Sequence, residues 1–218
     1  MNNLSSFDQD ITDTNLVWIG EIHGIKENYA VYKHLINLYN FNQIALEYPT
    51  DLEFFTKSRF LKYRDYQDGR FSQESLDFFN WLKNKKIICF DNRAEKTDDL
   101  QKLETQMANI LLSRLTNNKT LVISGNFHSQ LKPHLISDTY ITPAASIIKQ
   151  KIKQMVTIGL KYSGGKFYNF GLKKIDRNLT NFDNKSLPFG KIVINDNPLT
   201  TDKWWFHVGI ASPITLLE

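Results

Sequence analysis

The chain has 218 residues, a formal net charge of +4 and a sequence pI of about 9.0. Hydrophobic residues make up 41% and charged residues 23%, a balance typical of a folded globular protein and not of a disordered chain. The basic excess lies in short clusters with no interleaved aromatic repeat, so we expect no nucleic-acid partner. No apolar stretch approaches the ~20 residues that a membrane-spanning helix needs, so we expect no membrane span.

The cysteine content and the N-terminal segment both bear on the cellular compartment. Cys89 is the only cysteine and lies in an apolar run, which is typical of a small core residue in a reducing environment. Residues 1–8 contain neither the basic nor the apolar region of a signal peptide. The sequence therefore predicts a cytoplasmic protein.

The first part of the chain alternates strand-like apolar runs with helix-like amphipathic stretches. In chain order the predicted elements are a strand at 14–20, a helix at 25–40, a strand at 43–47, a helical pattern at 51–85 broken near 67–69, a strand at 86–91, a helix at 98–116 and a strand at 119–124. This alternation predicts an α/β fold with a largely parallel central sheet flanked by helices.

The last third of the chain has a different pattern. Residues 143–153 are helical in pattern, and the apolar segments 155–162 and 166–170 flank Ser163-Gly164-Gly165, which is typical of a hairpin. Residues 176–190 are polar and irregular, and residues 204–210 predict a late strand. We therefore expect antiparallel strands to be added to the sheet in this third. No linker divides the chain, so residues 1–218 are predicted to form a single domain.

Ionisable residues follow four of the predicted strands at the point where each strand ends. Glu21 and His23 follow the first strand within Gly20-Glu21-Ile22-His23-Gly24, and Glu47, Asp91 and His128 follow later strands. The carboxyl ends of parallel strands meet at one edge of a sheet, where α/β proteins build ligand sites. We therefore expect these side chains to lie together.

Two imidazoles and several carboxylates at one edge suit two kinds of chemistry. Glu21, His23, Glu47 and His128 include the donor types that bind a divalent metal. The same four residues also suit metal-free catalysis, in which a histidine takes a proton from water and a carboxylate orients it. The sequence contains no phosphate-binding loop, dinucleotide-binding motif or serine-hydrolase elbow.

Four further residues at the same edge are predicted to contact a substrate: Glu27, Tyr48, Asp91 and Asn126. Structural roles compete with this prediction for two of them. Glu27 lies in the first turn of a predicted helix, where a carboxylate favours the helix dipole, and Asp91 could pair with Arg93. The remaining histidines are predicted to be structural, and they are His34, His134 and His207.

The order of these motifs resembles the erythromycin-esterase-like and ChaN-like proteins, a superfamily that also includes the Tiki/TraB proteases. Its pattern is a Gly-Glu…His motif after the first strand, a glutamate after the second and a late Gly-x-x-His. The corresponding segments here are Gly20 to Gly24 with Glu27, then Ala45-Leu46-Glu47, and finally Gly125-Asn126-Phe127-His128. The resemblance covers residues 14–50 and 119–130 and extends faintly to residues 202–213.

The resemblance implies an α/β fold of the erythromycin-esterase and ChaN type, with its site at the carboxyl edge of the sheet. By analogy with the esterase branch, His23 is the base that activates water, Glu21 and Glu47 support it, and His128 assists. The Tiki branch implies peptide cleavage with a divalent metal at similar positions. The ChaN branch implies haem binding.

We therefore expect a small hydrolase that acts on an ester, amide or peptide bond of a small molecule or a peptide. The alternative is a binding module without catalysis that holds haem or another small ligand, with Tyr48, Tyr63 and Tyr66 as candidate contacts. A third interpretation is an interaction domain that keeps the fold but has lost activity. The sequence leaves the substrate and the use of a metal open.

Overall fold

The computed structural model describes residues 2–92, 98–175, 189–195 and 201–217, with side chains from residue 6 onward. Its ten strands, among these residues and in chain order, are β1 (Leu16–Glu21), β2 (Gln43–Pro49), β3 (Lys86–Asp91), β4 (Thr120–Gly125), β5 (His134–Ile136), β6 (Thr139–Ile141), β7 (Met155–Tyr168), β8 (Leu172–Lys174), β9 (Ile192–Ile194) and β10 (Trp204–Ala211). The helices are α1 (Asn2–Asp13), α2 (Glu27–Tyr39), α3 (Lys57–Leu61), α4 (Gln73–Trp81), α5 (Leu100–Arg114) and α6 (Ala144–Lys151), with a 3-10 helix at Thr50–Phe54.

Eight of the strands form the central sheet, in the order β3–β2–β4–β1–β7–β10–β9, with β8 paired to β7. Every neighbouring pair from β3 to β10 along this order is parallel, whereas β9 and β8 pair antiparallel with β10 and β7. The predicted fold class is therefore confirmed. Because β1, β2, β3 and β4 are parallel neighbours, their carboxyl ends lie at the same edge.

Both faces of the sheet are buried. On one face, Val17 and Ile19 of β1 belong to a large core that includes residues of α1, α2 and α4. On the opposite face, Leu16 and Trp18 pack with residues of α5 and α6. The alternation of side chains along a strand sends odd and even positions to the two layers. A strand that is buried on both faces has apolar residues at successive positions, which explains the continuous apolar runs in the sequence.

The predicted hairpin at residues 163–165 is wrong. Strand β7 continues through Ser163-Gly164-Gly165 to Tyr168, and the reversal comes after it, at Phe170 and Gly171, which have positive φ angles of 49° and 121°. Gly165 is needed within the strand because a Cβ there would lie 2.1 Å from the carbonyl oxygen of Ala211 in β10. Gly165 therefore reflects close packing of strands and not a turn.

Other predicted elements differ in detail. The helical pattern at 51–85 forms three short helices, and the N-terminal helix α1 was not predicted. The predicted loop at 176–190 lies outside the described residues except for its last two positions. The helix at 98–116 is α5, and its N-cap is Asp99, whose side chain accepts a hydrogen bond from the backbone N–H of Lys102. None of the helices in the described ranges has the length and apolar character needed to cross a bilayer.

The loop after β1 is held by three other segments. The carbonyl oxygen of Gly24 accepts hydrogen bonds from the backbone N–H groups of Tyr168 and Ile214, at 3.1 and 3.2 Å. Gly24 has φ +81°, and a Cβ there would lie 1.8 Å from the carbonyl oxygen of Tyr168. Gly69 packs equally closely, since a Cβ on it would lie 2.7 Å from Cα of Gly24. The segment that carries His23 is thus fixed against the loop that contains residues 67–70.

Candidate active site

The first histidine of the site, His23, is anchored by a carboxylate at the end of the preceding strand. Glu21 ends β1, and its Oε1 lies 2.8 Å from Nδ1 of His23. The other oxygen of Glu21 accepts hydrogen bonds from the Asn28 amide and the Tyr32 hydroxyl, both on α2. The Tyr162 hydroxyl in turn donates to Oδ1 of Asn28 at 2.7 Å. These contacts fix the ring of His23 with Nε2 turned away from Glu21.

Glu47 occupies the centre of the site. Its side chain is 1% exposed, and its Oε2 accepts a hydrogen bond of 2.7 Å from the backbone N–H of Gly125, at the end of β4. Nε2 of His23 lies 3.5 Å from Oε2, and Nε2 of His128 lies 3.5 Å from Oε1. Two imidazoles, from the loops after β1 and β4, therefore converge on one buried carboxylate. Each separation is longer than a usual N–H···O hydrogen bond.

The second histidine is anchored in the same way by a residue of α5. Nδ1 of His128 lies 2.6 Å from Oε1 of Glu104, whose side chain is fully buried. The other oxygen of Glu104 accepts a hydrogen bond of 2.8 Å from the backbone N–H of Ala144, the first residue of α6. Each histidine thus has a carboxylate at Nδ1 and directs Nε2 toward Glu47.

Arg70 supplies a buried positive charge beside Glu47. Its Nη1 lies 3.3 Å from Oε1 of Glu47 and 2.6 Å from Oδ2 of Asp91. Its Nε and Nη2 donate to Oδ2 of Asp68 at 2.8 and 2.6 Å. Arg70 therefore links three carboxylates from β2, β3 and the loop before α4. Since an unpaired buried charge is very costly, the guanidinium and these carboxylates depend on one another.

The contacts set the charge state of the centre. Burial lowers the pKa of His23, but the charge of Glu47 and the hydrogen bond to Glu21 outweigh it and raise the pKa to about 10. Burial raises the pKa of the Glu47 carboxyl, whereas the neighbouring His128, His23 and Arg70 together hold it well below its usual range. In the resting site, therefore, His23 is protonated at neutral pH and Glu47 is ionised.

A small pocket opens at this centre, with a cavity volume of about 10 Å³ for a water-sized sphere. That volume is about what one water molecule needs. Its polar side is formed by Glu21, His23, Glu47 and Arg70, and its aromatic wall by Tyr29, Tyr32, Tyr48 and Phe78. The pocket thus offers a place for one small polar group next to both Glu47 and His23.

The residues predicted to contact a substrate have different surroundings. The Tyr48 hydroxyl donates a hydrogen bond of 2.6 Å to the carbonyl oxygen of Arg70, and its ring lines the pocket. Asp91 is joined to the centre through Arg70, whereas Asn126 is exposed beside His128. Oε2 of Glu27 accepts a hydrogen bond of 2.8 Å from the backbone N–H of Ser212, so Glu27 fixes the C-terminal segment. Arg93, the alternative partner of Asp91, lies outside the described residues.

The three histidines predicted to be structural lie in other parts of the fold. His34 is exposed on α2, with its ring 6.4 Å from that of Phe206. His134 lies in β5, with its ring 5.8 Å from the Phe127 ring. His207 lies in β10, where burial and the charge of nearby lysines lower its pKa to about 4. None of the three takes part in the hydrogen bonds described for Glu47.

Sequence reasoning missed three charged residues of the centre, which are Arg70, its partner Asp68, and Glu104. For Glu104 a signal exists: it occupies the same helical face as Leu100, Met107 and Leu111, so a carboxylate interrupts the apolar stripe of α5. Such a residue is buried and needs a partner. For Arg70 no comparable signal exists, because it lies where the helical pattern breaks.

The Tiki branch of the resemblance implies a divalent metal at this centre. Among the residues that the structure describes, no group of three or more His, Cys, Asp or Glu side chains is arranged to hold a metal ion. Arg70 already provides positive charge to Glu47 and Asp91, and a divalent cation beside it would be repelled. The residues present therefore do not fit a divalent metal.

Comparisons with solved structures identify proteins of the same fold. A succinoglycan biosynthesis protein matches with a TM-score of 0.69 and 14% identity, covering 99% of this chain and 93% of that chain. A mutant of the erythromycin esterase EreC in its open conformation matches with a TM-score of 0.66 and 9% identity, covering 100% and 96%. A haem complex of ChaN from Campylobacter jejuni gives a TM-score of 0.49 and 14% identity, covering 74% and 87%.

The likenesses to the succinoglycan biosynthesis protein and to the esterase confirm the predicted resemblance at the level of the fold. No protein-family model and no curated protein matches the sequence. Sequence identities of 9% and 14% show shared architecture only, and the ChaN likeness is too weak to carry an argument. A shared fold does not determine function, which depends on the residues of the site.

Removal of Arg70 tests the charge network. We expect Arg70→Met to destabilise the fold by about 3–5 kcal/mol, because it leaves buried carboxylates without their cation. Arg64→Met is the matched control: Arg64 is exposed and lies 4.0 Å from Asp65, so the expected cost is below about 1 kcal/mol. Urea unfolding measures both, and equal midpoints for the two variants would contradict the network.

Proposed function

We propose that the protein is a hydrolase that activates water with the Glu/His site at the carboxyl edge of its sheet. The bond cleaved is an ester, amide or peptide bond. The observation that carries this proposal is the convergence of two imidazole Nε2 atoms, from His23 and His128, on the carboxylate of Glu47 at 3.5 Å each.

Hydrolysis needs one group that accepts a proton from water and another that gives a proton to the leaving group. His23 carries a proton in the resting site, since its pKa is raised to about 10. We therefore assign to His23 the donation of that proton to the leaving group. This assignment departs from the esterase resemblance, which implies that His23 is the water-activating base.

The acceptor of the water proton in this proposal is Nε2 of His128 in the neutral form of the ring, in which Nδ1 carries the proton and faces Glu104. A water molecule bound beside Nε2 of His128 and Oε1 of Glu47, which lie 3.5 Å apart, gives one proton to Nε2, and the resulting hydroxide attacks the carbonyl carbon of the substrate. The carbon–oxygen or carbon–nitrogen bond then breaks as His23 protonates the departing atom. Glu47 stays ionised and stabilises the imidazolium of whichever histidine holds the proton.

The substrate is proposed to be a small molecule or a peptide. Its contacts are proposed to include Tyr48 in the pocket wall and Asn126, which is exposed next to His128. Asp91 and Glu27 support the site from outside, through Arg70 and the C-terminal segment. A cytoplasmic location remains part of this proposal, and buried Cys89 is consistent with it.

Substitutions at the centre test the proposal. We expect His23→Gln and Glu47→Gln to lower the turnover of any hydrolysed p-nitrophenyl ester or peptide p-nitroanilide by roughly 10²-fold or more, because the first removes the proton donor and the second removes the charge that stabilises the imidazolium. His34→Gln is the matched control, since His34 is exposed on α2, and its turnover is expected to equal that of the unmodified protein. Turnover at unmodified rates in both site variants would end the proposal.

The pH dependence tests the role of His23. If protonated His23 serves the leaving group, kcat/KM falls as the pH rises through about 10, by about tenfold per pH unit, because the acid form is lost. The rate is measured against buffer blanks, and the residual rate of His23→Gln is expected to lack this decline. A rate that increases steadily from about pH 8 to about pH 10 would instead make His23 the base.

Haem binding is the alternative function, and the aromatic wall of the pocket is the observation in its favour. Against it, two of the candidate tyrosines already have hydrogen-bond partners. The Tyr48 hydroxyl donates to the carbonyl oxygen of Arg70, and the Tyr63 hydroxyl donates to Asp51 at 2.7 Å. We therefore expect no Soret shift when haemin is added to the purified protein. A saturable shift that disappears in Tyr48→Phe would favour the binding module over the hydrolase.

A further inference from the structure

Glu104 occupies a position that packing alone does not explain. It is a fully buried carboxylate on the apolar face of α5, among Leu103, Met107 and Ala108. Burial of a carboxylate without strong partners is very unfavourable. Both oxygens are used: Oε1 by Nδ1 of His128 at 2.6 Å, and Oε2 by the backbone N–H of Ala144 at 2.8 Å.

The contact with Ala144 limits what the other oxygen of Glu104 can do. A backbone N–H is always a donor, so Oε2 is committed to it. Oε1 is then left to face the imidazole of His128. An ionised carboxylate only accepts hydrogen bonds, so the nitrogen facing it has to carry a proton. Oε1 of Glu104 lies 2.6 Å from Nδ1, whereas Oε1 of Glu47 lies 3.5 Å from Nε2, so the neutral ring of His128 has its proton on Nδ1 and its lone pair on Nε2.

We propose that Glu104 is a positioning residue that fixes the Nδ1–H tautomer of His128, so that the lone pair of Nε2 faces the reacting water. Its catalytic meaning rests on the proposed hydrolase function, in which His128 accepts the water proton. Glu104 itself touches neither water nor substrate and acts only through His128. The backbone N–H of Ala144, at the start of α6, contributes to this role because it determines which oxygen of Glu104 faces the His128 ring.

This arrangement makes Glu104→Gln a directed test. The amide oxygen of glutamine has to accept from the Ala144 N–H, so the amide NH₂ faces His128 and donates to Nδ1. The ring must then move its proton to Nε2, which points it at Glu47 and removes the lone pair from the water site. The substitution preserves the shape of the side chain while it reverses the tautomer.

Long-range ¹H–¹⁵N correlation spectra of the full chain measure the tautomer, with the His128 signals assigned by their loss in His128→Gln. At a pH where His128 is neutral, we expect a protonated Nδ1 in the unmodified protein and a protonated Nε2 in Glu104→Gln. Glu74→Gln is the matched control: Glu74 also accepts a backbone N–H, from Thr215, but is remote from the histidine. It is expected to leave the tautomer unchanged.

The kinetic constants distinguish a positioning role of Glu104 from a general destabilisation of the fold. In Glu104→Gln we expect kcat on the same ester or anilide probe to fall roughly 10²- to 10⁴-fold with KM little changed. An Nε2–H tautomer in the unmodified protein, or the same tautomer in Glu104→Gln, would overturn the assignment even if the variant folds poorly. If Glu104→Gln reverses the tautomer but the unmodified protein hydrolyses none of the probes, the positioning role of Glu104 is supported and only the hydrolase proposal is contradicted.

Discussion

The ionised carboxylate of Glu47, buried at the end of β2, is the constraint on which the site depends. A carboxylate that is 1% exposed is tolerated only if positive charge and donors surround it. The Gly125 N–H, the Arg70 guanidinium and the protonated imidazole of His23 meet that requirement. The carboxylate in turn keeps a proton on His23, which is why the resting site holds both an acid and an ionised carboxylate.

The parallel sheet explains how such distant parts of the chain supply this arrangement. In-register pairing of β1 with β4 places Glu21 opposite Gly125, and β2 pairs with β4 on its other side. Backbone pairing alone therefore makes the ends of β1, β4 and β2 neighbours, whatever side chains they carry. The outer carboxylates, Glu21 and Glu104, then orient the two rings, because each holds an Nδ1 and leaves the Nε2 facing Glu47.

Much of this could be predicted from the sequence because it depends on strand ends. An apolar run that stops at an ionisable residue places that residue at the sheet edge, and Glu21, Glu47 and Asp91 lie there as expected. The position of Arg70 could not be predicted, since it depends on the close backbone contact between Gly69 and Gly24. The hairpin predicted at residues 163–165 was wrong for a similar reason. Glycines in a sequence do not by themselves distinguish a turn from a close contact between strands.

The proposed mechanism depends on the placement of His23 and His128 on either side of Glu47. A neutron crystal structure of the unmodified protein tests this placement most directly. The predicted result is a deuteron on Nδ1 of each ring, directed at Glu21 and Glu104, with an ordered water bonded to Glu47 and Nε2 of His128. Rings turned away from Glu47, or a Glu47 carboxyl that carries its own deuteron, would contradict the account.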